Sequence, residues 1–460
     1  MTAPRVVGVI DIGKTNAKFA LVDLPSRAEV AVRKTPNEVR RDGPYPHYDV
    51  EGLWRFLTGA IAELNAETPI DALSVTTHGA AAALLDAAGN LTLPVLDYEF
   101  AGPDELAAEY DEIRPGFAES FTPRLPAGLN LGAQLFWQHR RFPEAFAKTT
   151  AIVTYPQYWS FLLSGVVSSE ITSLGCHTDL WNFQTDLYSS LVANAGWLDK
   201  MPAVRRAGDV LGLVRPEVAK TLGIHKPVPV HCGIHDSNAS LLPHLIERQP
   251  PFAVVSTGTW VIVCAPGAEL AGLDPARDCL ANIDAFGRPV ASARFMGGRE
   301  FSQLIEGEPQ LPTDDELRRV LGERLFLLPA VVEGSGPFPN RHARWSAPRT
   351  SLSPAEQYAV VSFYLALMTA QCLELADAEG EIVVEGPFTG NRLYLQMLAA
   401  ATGRPLFATH GDSTGTAIGA ALLAIEKPKP HGDEGHSIAP PEALAEAMSR
   451  YAARWRLELA

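Results

Sequence analysis

Cysteine is scarce in this sequence. Only five cysteines occur among 460 residues, and none stands in a Cys-x-x-Cys pair. An odd, scattered set in a long chain is typical of reduced thiols in a cytosolic core, so it argues against a disulfide framework and a zinc cluster. No histidines show metal-ligand spacing. We therefore expect a cytoplasmic protein without a zinc site.

Long apolar runs and positive charge are also lacking. No stretch approaches the roughly 20 apolar residues of a membrane span. The apolar run Val6–Ile10 ends at Asp11, so we expect neither a membrane segment nor a signal peptide. Lysine and arginine number 38 against 53 acidic residues, which gives a formal net charge of -15. Because a phosphate backbone must be met by clustered basic residues, a nucleic-acid partner is not expected.

The composition that remains is that of a globular protein, with 47% hydrophobic and 20% charged residues. A single core stops growing at roughly 250–300 residues. The length of 460 residues therefore predicts two domains, which we place at residues 1–245 and 246–460.

Both halves of the chain open with a strand, a turn of small or polar residues, and a second strand. The first half has Val6–Ile12, Gly13-Lys14-Thr15-Asn16 and Ala17–Asp23; the second has Phe252–Ser256, Thr257-Gly258-Thr259 and Trp260–Ala265. Self-similarity at half the chain length favours a duplicated α/β fold, although two unrelated hairpins would look the same.

Later segments alternate between strand and helix patterns. The predicted strands are Ala72–Thr77, Val228–Gly233, Glu381–Gly386 and Arg404–Thr409; the predicted helices begin at Val50, Ser237, Pro354, Asn391, Gly415 and Pro440; and 426–441 is predicted as a linker. Such alternation favours sheets that are covered by helices.

The segment Gly8–Thr15 matches the P-loop expression G-x-x-x-x-G-K-[ST] literally. A P-loop needs a completed strand before its first glycine and a helix after its last residue, so that the helix N–H groups face phosphate. Here the residues between the glycines are apolar and strand-like, and Ala17–Asp23 alternates like a strand. We therefore predict a hairpin and keep a P-loop NTPase as an alternative.

The hairpin turn nevertheless has the residues of a phosphate site. Gly13 lets the backbone approach phosphate, and Lys14, Thr15 and Asn16 offer donors. Asp11 ends the preceding strand, where a carboxylate can hold Mg²⁺ through water or act as an ordinary turn cap. The residues Thr257, Gly258 and Thr259 would form the second turn, facing the first across a cleft.

Taken in order, the motifs resemble the FGGY carbohydrate kinases of the actin/Hsp70/sugar-kinase superfamily. The matching blocks are Asp11–Lys18 (DIGKTNAK), Thr77-His78-Gly79, Tyr155–Gly165, Ser169–Thr172, Gly233–Ser240 (GIHDSNAS) and Ser256–Trp260 (STGTW). Lys14 departs from the family, which often has threonine there. The resemblance implies two duplicated actin-like, ribonuclease H-like α/β domains with the active site in a cleft between them, and Mg²⁺ with ATP as cofactors.

The adenosine motif agrees only in part. The family has a glycine-rich turn where this chain has Glu385-Gly386-Pro387-Phe388-Thr389-Gly390-Asn391. The resemblance implies that Gly386 and Asn391 contact adenosine, while Glu385 and Pro387 depart from the usual glycines.

Asp236 is the candidate catalytic residue. It lies between a predicted strand and a predicted helix, where α/β proteins place sites but where aspartate is also a common helix cap. The resemblance implies that Asp236 is the general base for the sugar hydroxyl and, with Asp11, a metal ligand. It also implies that His78, Asp97 and Tyr98 bind the sugar.

The expected function is ATP-dependent phosphorylation of a ketose, namely a ketopentose or a 6-deoxyketohexose such as L-fuculose, L-rhamnulose or xylulose. The expected partners are the small-molecule sugar and ATP, with a homodimer as the candidate assembly. The alternatives are the P-loop NTPase and a sugar sensor of the same fold that lacks catalysis. Neither the sugar nor the hydroxyl that receives the phosphate follows from the sequence.

Overall fold

The computed structural model describes residues 4–409, 415–432 and 435–459. The chain forms two compact units. The first unit comprises Met1–Ile246, Ala281–Pro289 and Gly415–Pro430, and the second comprises Glu247–Leu280, Val290–Thr414 and His431–Ala460. Each half of the chain therefore builds most of one unit.

The strands of the first unit are β1 (Val6–Ile12), β2 (Asn16–Asp23), β3 (Ala28–Pro36), β4 (Val39–Arg40), β5 (His47–Tyr48), β6 (Ala72–Thr77), β7 (Ala82–Leu85), β8 (Leu91–Leu93), β9 (Ala151–Thr154), β10 (Ser169–Glu170), β11 (Trp181–Asn182), β12 (Leu187–Tyr188), β13 (Val204–Arg205), β14 (Val210–Leu213), β15 (Pro229–His231) and β16 (Ile234–His235). Seven of these strands form one mixed sheet with the order β14-β15-β6-β1-β2-β3, in which β16 also pairs with β6.

The helices of the first unit lie on both faces of this sheet and beside it. They are α1 (Val50–Glu67), α2 (Ala107–Asp111), α3 (Phe117–Ser120), α4 (Leu131–Arg141), α5 (Pro143–Ala147), α6 (Tyr155–Ser164), α7 (Ile171–Leu174), α8 (Ser190–Asn194), α9 (Pro216–Thr221), α10 (Asp236–Glu247) and, from the far end of the chain, α15 (Thr416–Leu422).

The period-two pattern of the strands explains the layers. In β1, Ile10 and Ile12 are buried in a core that includes residues of α1 and α6. Val7 and Val9 are buried in a second core, which includes residues of α10 and α15. Successive side chains of a strand point to opposite faces, so a strand that is apolar throughout is buried on both.

The second unit has its own seven-stranded sheet, with the order β19-β20-β18-β17-β23-β24-β25. Its strands are β17 (Phe252–Thr257), β18 (Val261–Pro266), β19 (Cys279–Ile283), β20 (Pro289–Phe295), β21 (Leu327–Leu328), β22 (Arg344–Trp345), β23 (Glu381–Glu385), β24 (Leu406–Ala408) and β25 (His436–Ile438), and its helices are α11 (Gly297–Leu304), α12 (Asp314–Glu323), α13 (Pro354–Leu375), α14 (Arg392–Thr402) and α16 (Glu442–Leu457).

The two sheets repeat one pairing pattern. In the first, β1 is antiparallel to β2 and parallel to β6. In the second, β17 is antiparallel to β18 and parallel to β23. Each sheet continues with an antiparallel strand on the hairpin side, β3 or β20. The duplicated α/β fold that the two hairpins predicted is therefore confirmed.

Two element predictions were wrong. The strand predicted over Val228–Gly233 is shorter, covering Pro229–His231 as β15, and a separate strand, β16, follows at Ile234–His235. Gly233, with a φ of +92°, interrupts the extended backbone between them. The linker predicted over 426–441 contains β25, which pairs with β24. Short polar strands of this kind carry little sequence signal.

Helix α13 is the one helix of the described chain that is long and apolar enough to cross a membrane, and 83% of its most apolar window is buried inside the fold. A capping box formed by Ser353 and Glu356 begins it, as the sequence predicted.

Candidate active site

Three parallel strand ends place the candidate catalytic residues at one edge of the first sheet. Asp11 of β1 pairs with Thr76 of β6, which in turn pairs with Ile234 of β16. The chain continues from β6 into His78 and from β16 into Asp236. Because carboxyl ends of parallel strands meet at one edge, three residues that are distant in sequence share a site.

Burial controls the ionisation of Asp11. Burial and, to a smaller extent, the charge of Asp236 raise the pKa of this carboxyl, Lys18 opposes both effects, and the resulting pKa is about 6. The Lys18 Nζ lies 3.3 Å from an Asp11 oxygen and 2.7 Å from Glu29. A carboxylate next to a second carboxylate in a poorly solvated place favours a bound cation.

Asp236 is the first residue of α10. Its Oδ1 accepts a 2.7 Å hydrogen bond from the Ser237 N–H and lies 3.2 Å from the Nε2 of His235, while 33% of the side-chain surface stays accessible. Burial raises the pKa of Asp236, an effect that His78 and Ser237 partly offset. The carboxylate is thus held from one side and accessible from the other.

His78 presents one hydrogen-bond acceptor. Its Nδ1 lies 2.8 Å from the Gly79 carbonyl oxygen, so that nitrogen carries the proton. The Nε2 is buried without a hydrogen-bond partner among the described residues. Burial lowers the pKa of His78 to about 4, which leaves the ring neutral at pH 7. The Nε2 can therefore accept a hydrogen bond from a ligand hydroxyl.

Three tyrosines surround the His78 ring. The ring centroids of Tyr48, Tyr155 and Tyr98 lie 5.0, 5.2 and 5.4 Å from it. Sequence reasoning anticipated Tyr98 and missed the other two, since a buried tyrosine looks like any core residue.

The structure places Lys14 against Asp97. Its Nζ forms an ion pair with the Asp97 carboxylate and lies 3.3 Å from Glu99, and it lies 4.7 Å from the centre of the Tyr98 ring. The sequence pattern predicted that Lys14 binds phosphate. In the structure its charge is engaged by residues on the predicted sugar side.

The rest of the first turn is closed by hydrogen bonds within the hairpin and its neighbour. The Gly13 N–H donates to the Asn16 carbonyl at 2.9 Å, and Asn37 donates to the Gly13 carbonyl at 2.8 Å. Thr15 and Asn16 are exposed. Because β2 begins at Asn16, no helix follows Thr15, and the structure rejects the P-loop alternative.

The second turn lies in the second unit and closes in the same way. The Gly258 N–H donates to the Trp260 carbonyl at 2.9 Å. The Thr257 hydroxyl donates to the Glu385 carbonyl at 2.6 Å and accepts from the Phe388 N–H at 3.0 Å. Thr257 therefore connects the turn to the predicted adenosine segment.

A cavity of about 720 Å³ opens beside this turn, and Gly258, Thr259 and Asn391 line it together with Phe301 and Tyr358. Its size suits a small-molecule ligand. The Asn391 amide also has two structural partners, because it accepts from the Tyr394 N–H at 3.0 Å and donates to Ser362 at 2.9 Å.

Gly386 does not line the cavity but packs against the second turn. Its φ is +84°, and a Cβ there would overlap the Thr257 carbonyl oxygen. No sequence motif pointed to the lining residues Arg299, Phe301 and Tyr358. Glu385 and Pro387, which depart from the glycine-rich pattern, still allow a turn at Gly386.

Comparison with known proteins gives two family matches that together cover almost the whole chain. The FGGY family of carbohydrate kinases, N-terminal domain, matches residues 6–243, and the carbohydrate kinase FGGY, C-terminal domain, matches residues 249–433. The chain belongs to the FGGY family of carbohydrate kinases. The FGGY resemblance of the sequence motifs is thereby confirmed.

Solved structures of FGGY-type kinases share the fold. A carbohydrate kinase from Novosphingobium aromaticivorans is 33% identical, with a TM-score of 0.90 over 99% of this chain and 98% of that one. The xylulose kinase of Rhodospirillum rubrum is 21% identical, with a TM-score of 0.81 over 99% and 98% of the two chains. At that lower identity the likeness concerns the fold alone.

Curated relatives align over a shorter region. The L-fuculokinase of Escherichia coli K12 is 25% identical over 280 residues, which are 58% of this chain and 57% of the relative. A putative sugar kinase of Bacillus subtilis, YoaC, is 25% identical over 243 residues, 51% of this chain and 48% of that protein. The alignments thus span about half the length of these relatives.

One group of residues was missed altogether by sequence reasoning. Cys176, His177 and His235 each bring a ligand atom within 4.8 Å of the other two. Residues 177 and 235 are too far apart in the sequence to form a motif, and only the sheet topology brings them together.

Proposed function

We propose that the protein transfers the γ-phosphoryl group of ATP to a hydroxyl group of a ketose, with Asp236 as general base. The observation that carries the proposal is the accessible Asp236 carboxylate at the carboxyl edge of the first sheet, held by Ser237 and His235. General-base help of this kind contributes about 10²–10⁴-fold to a rate.

The electrostatics support this role for Asp236. Burial raises its pKa, which makes the carboxylate a better proton acceptor than a solvated aspartate. As the hydroxyl oxygen bonds to phosphorus, its proton passes to the free Asp236 oxygen. Phosphoryl transfer has a loose transition state, so the remaining contribution of the protein is positioning and charge neutralisation.

In this proposal, the residues around His78 position the sugar. The buried, unprotonated Nε2 accepts a hydrogen bond from a second sugar hydroxyl, and Tyr98 supplies an apolar wall with a polar tip. Asp97 is buried and accepts from the Tyr48 hydroxyl at 3.3 Å. We propose that Asp97 and Lys14 act as an ion pair that completes the sugar side.

ATP is assigned to the two turns and to the cavity of the second unit. Phe301, Tyr358 and Phe388 give the cavity an aromatic lining that suits adenine. Gly13, Gly258 and Thr259, with the side chains of Thr15 and Asn16, are the candidate phosphate contacts. Because the N–H groups of Gly13 and Gly258 close their own turns, these two glycines would allow close approach rather than donate. Asn391 lines the cavity, and Gly386 packs against the second turn at Thr257.

The residues present fit Mg²⁺. The charge of Asp236 contributes to the raised pKa of Asp11, so a divalent cation with a preference for oxygen would offset this repulsion. When bound there, Mg²⁺ would supply positive charge to the phosphate oxygens. In this proposal Asp11 and Asp236 would hold the ion through water, and the Lys18 Nζ, 3.3 Å from an Asp11 oxygen, would orient that carboxylate.

For the substrate, we propose a 6-deoxyketohexose of the L-fuculose kind as the first candidate, because relatives named L-fuculokinase recur among the matches. Ketopentoses are the second candidate, since solved neighbours include xylulose kinases. One methyl group in a pocket is worth only about 1–3 kcal/mol, so a single substitution can separate the two classes.

The test is ADP release coupled to a colour reaction across ketopentoses, 6-deoxyketohexoses and polyols. Turnover with one ketose class well above the others supports the proposal. Uniform absence of turnover, in protein that still binds ATP and a sugar, supports the non-catalytic sensor instead.

The five free cysteines fit a reducing, cytoplasmic setting. The homodimer stays a prediction, which light scattering would test.

A further inference from the structure

A cluster of soft metal ligands lies next to the proposed base. Cys176 and His177 follow helix α7, and His235 ends strand β16. Their ligand atoms all lie within 4.8 Å of one another. The proposed phosphoryl transfer uses neither Cys176 nor His177, so their convergence on His235 calls for a different explanation.

The tautomer of His177 suits metal binding. The His177 Nδ1 lies 2.7 Å from the Leu129 carbonyl oxygen, so Nδ1 carries the proton and Nε2 keeps its lone pair. A backbone carbonyl that fixes the tautomer in this way is the usual outer partner of a metal-bound histidine. His235 is buried, and its Nε2 lies 3.2 Å from the Asp236 Oδ1, so a metal on this nitrogen requires the ring proton to move to Nδ1.

Gly79 packs against these rings. A Cβ at Gly79 would lie 2.7 Å from the His235 Nε2 and 3.6 Å from the His177 Cε1, so a side chain at position 79 would clash with the His235 ring. His177 itself has a φ of +42°, a conformation that costs a non-glycine residue free energy and persists only where the surroundings enforce it.

We propose that Cys176, His177 and His235 bind one Zn²⁺ ion, and that this ion inhibits phosphoryl transfer. One thiolate and two neutral imidazoles form a ligand set that zinc prefers and that Mg²⁺ does not. The site therefore differs in chemistry from the oxygen site proposed at Asp11. Binding converts the Cys176 thiol to a thiolate, and its proton passes to the buffer.

Inhibition follows from the position of His235. Its Nε2 lies 3.2 Å from the Asp236 Oδ1, and its Nδ1 lies 3.4 Å from the Asn238 amide nitrogen. A zinc ion on His235 either draws this ring away from Asp236 or takes the Asp236 carboxylate as its fourth ligand. In both cases the base is no longer available to a sugar hydroxyl. This part of the inference rests on the proposed function, whereas the binding itself does not.

The first experiment measures binding alone. Full-length protein is freed of metal by dialysis against a chelator and titrated with Zn²⁺ in the presence of excess Mg²⁺. We expect one equivalent bound per chain with micromolar or tighter affinity. With Co²⁺ in place of zinc, we expect a thiolate-to-cobalt charge-transfer band. Stoichiometric binding and the band support the site, and the lack of either overturns it.

Variants assign the ligands. Cys176→Ser and His177→Gln should each weaken zinc binding at least about tenfold, and Cys176→Ser should abolish the cobalt band. Cys279→Ala is the matched control, since Cys279 is also buried but lies in the second unit. Equal weakening in the control, or unchanged binding in Cys176→Ser, overturns the assignment.

The second experiment adds activity. Zinc should inhibit the wild-type kinase reversibly, with recovery on addition of a chelator, and Cys176→Ser should resist. If zinc binds at Cys176 but the kinase turns over unimpaired, the inhibitory role is wrong. If zinc binds and no sugar is phosphorylated under any condition, the proposed function fails while the metal site stands.

Discussion

At the scale of the residue, burial sets the charge of the candidate site. His78 and His235 are neutral at pH 7 because burial lowers the pKa of both to about 4. Asp11 and Asp236 are the carboxyl groups of this edge of the sheet, each with a pKa that burial raises. The edge therefore offers hydrogen-bond acceptors to a sugar and carboxyl oxygens to a cation, with the Lys18 Nζ 3.3 Å from an Asp11 oxygen.

Lys14 provides a test of which ligand the first turn serves. Since its Nζ is engaged by Asp97 and Glu99, we expect Lys14→Met to raise the KM for sugar about tenfold or more and to change the KM for ATP much less. Loss of one charge-assisted contact of about 1.5–3 kcal/mol has that size.

Thr15→Ala is the matched control for Lys14, because Thr15 is exposed at the neighbouring turn position. Its effect should fall on the KM for ATP. The reverse pattern, with Lys14→Met raising mainly the KM for ATP, would return Lys14 to the phosphate role that the sequence suggested.

Glu300 should make the stability of the protein depend on pH. It is buried with one oxygen unpartnered among the described residues, and burial raises its pKa from 4.5 to about 7. The folded state therefore binds this proton more tightly than the unfolded chain. The stabilisation is complete below pH 4.5 and is lost as the pH rises through 7.

Glu300→Gln mimics the protonated carboxyl at every pH. Relative to wild type, we expect the variant to gain stability between pH 5 and pH 8, by up to about 3 kcal/mol at about 1.4 kcal/mol per pKa unit. Thermal unfolding at several pH values measures this. A constant difference between the two proteins across that range would show that Glu300 ionises normally.

At the scale of the element, each unit depends on a hairpin whose turn is closed by backbone hydrogen bonds and tied to a neighbouring segment. In the second unit the tie is the Thr257 hydroxyl, which contacts Glu385 and Phe388. The turn and the adenosine segment should therefore respond together to a change in either.

Gly386→Ala tests that connection. A Cβ at Gly386 would overlap the Thr257 carbonyl, and its φ of +84° disfavours any other residue. We expect a loss of about 1–3 kcal/mol of stability and weaker ATP binding, measured by thermal unfolding and calorimetry. Gly322→Ala is the control, because a Cβ at Gly322, in α12 of the same unit, would meet no atom within 4 Å. Equal effects of the two substitutions would show that Gly386 does not connect the second turn to the adenosine segment.

Much at this scale could be predicted from the sequence. Apolar, β-branched runs mark β1, β6, β17 and β23, because strands that are buried on both faces leave a strong pattern. The division at Gly233 and the short strand β25 could not be predicted, since one depends on a local φ and the other on pairing with β24.

The site was only partly predictable, for a related reason. Asp236 and His78 follow strands, so the sequence pointed to them. The pairing of Lys14 with Asp97 and the meeting of Cys176 with His235 depend on side chains that fold topology brings together. Neither pairing has a spacing that a sequence could display.

At the scale of the whole molecule, the repeated pairing order of the two sheets supports the duplicated fold more strongly than either hairpin does. Each unit carries one of the two candidate phosphate turns. Asp11, Asp236 and His78 lie in the first unit, and the aromatic cavity lies beside the turn of the second unit. The duplication has therefore diverged into a candidate sugar side and a candidate nucleotide side.

The central claim is that this FGGY-family chain phosphorylates a ketose with Asp236 as its base. The most direct measurement is the turnover of Asp236→Asn on the best sugar of the panel, beside ATP affinity, with the exposed Asp199→Asn as the control. We predict ATP binding close to wild type, transfer reduced by about 10²–10⁴-fold, and full activity in the control. Near-normal turnover in Asp236→Asn would contradict the account.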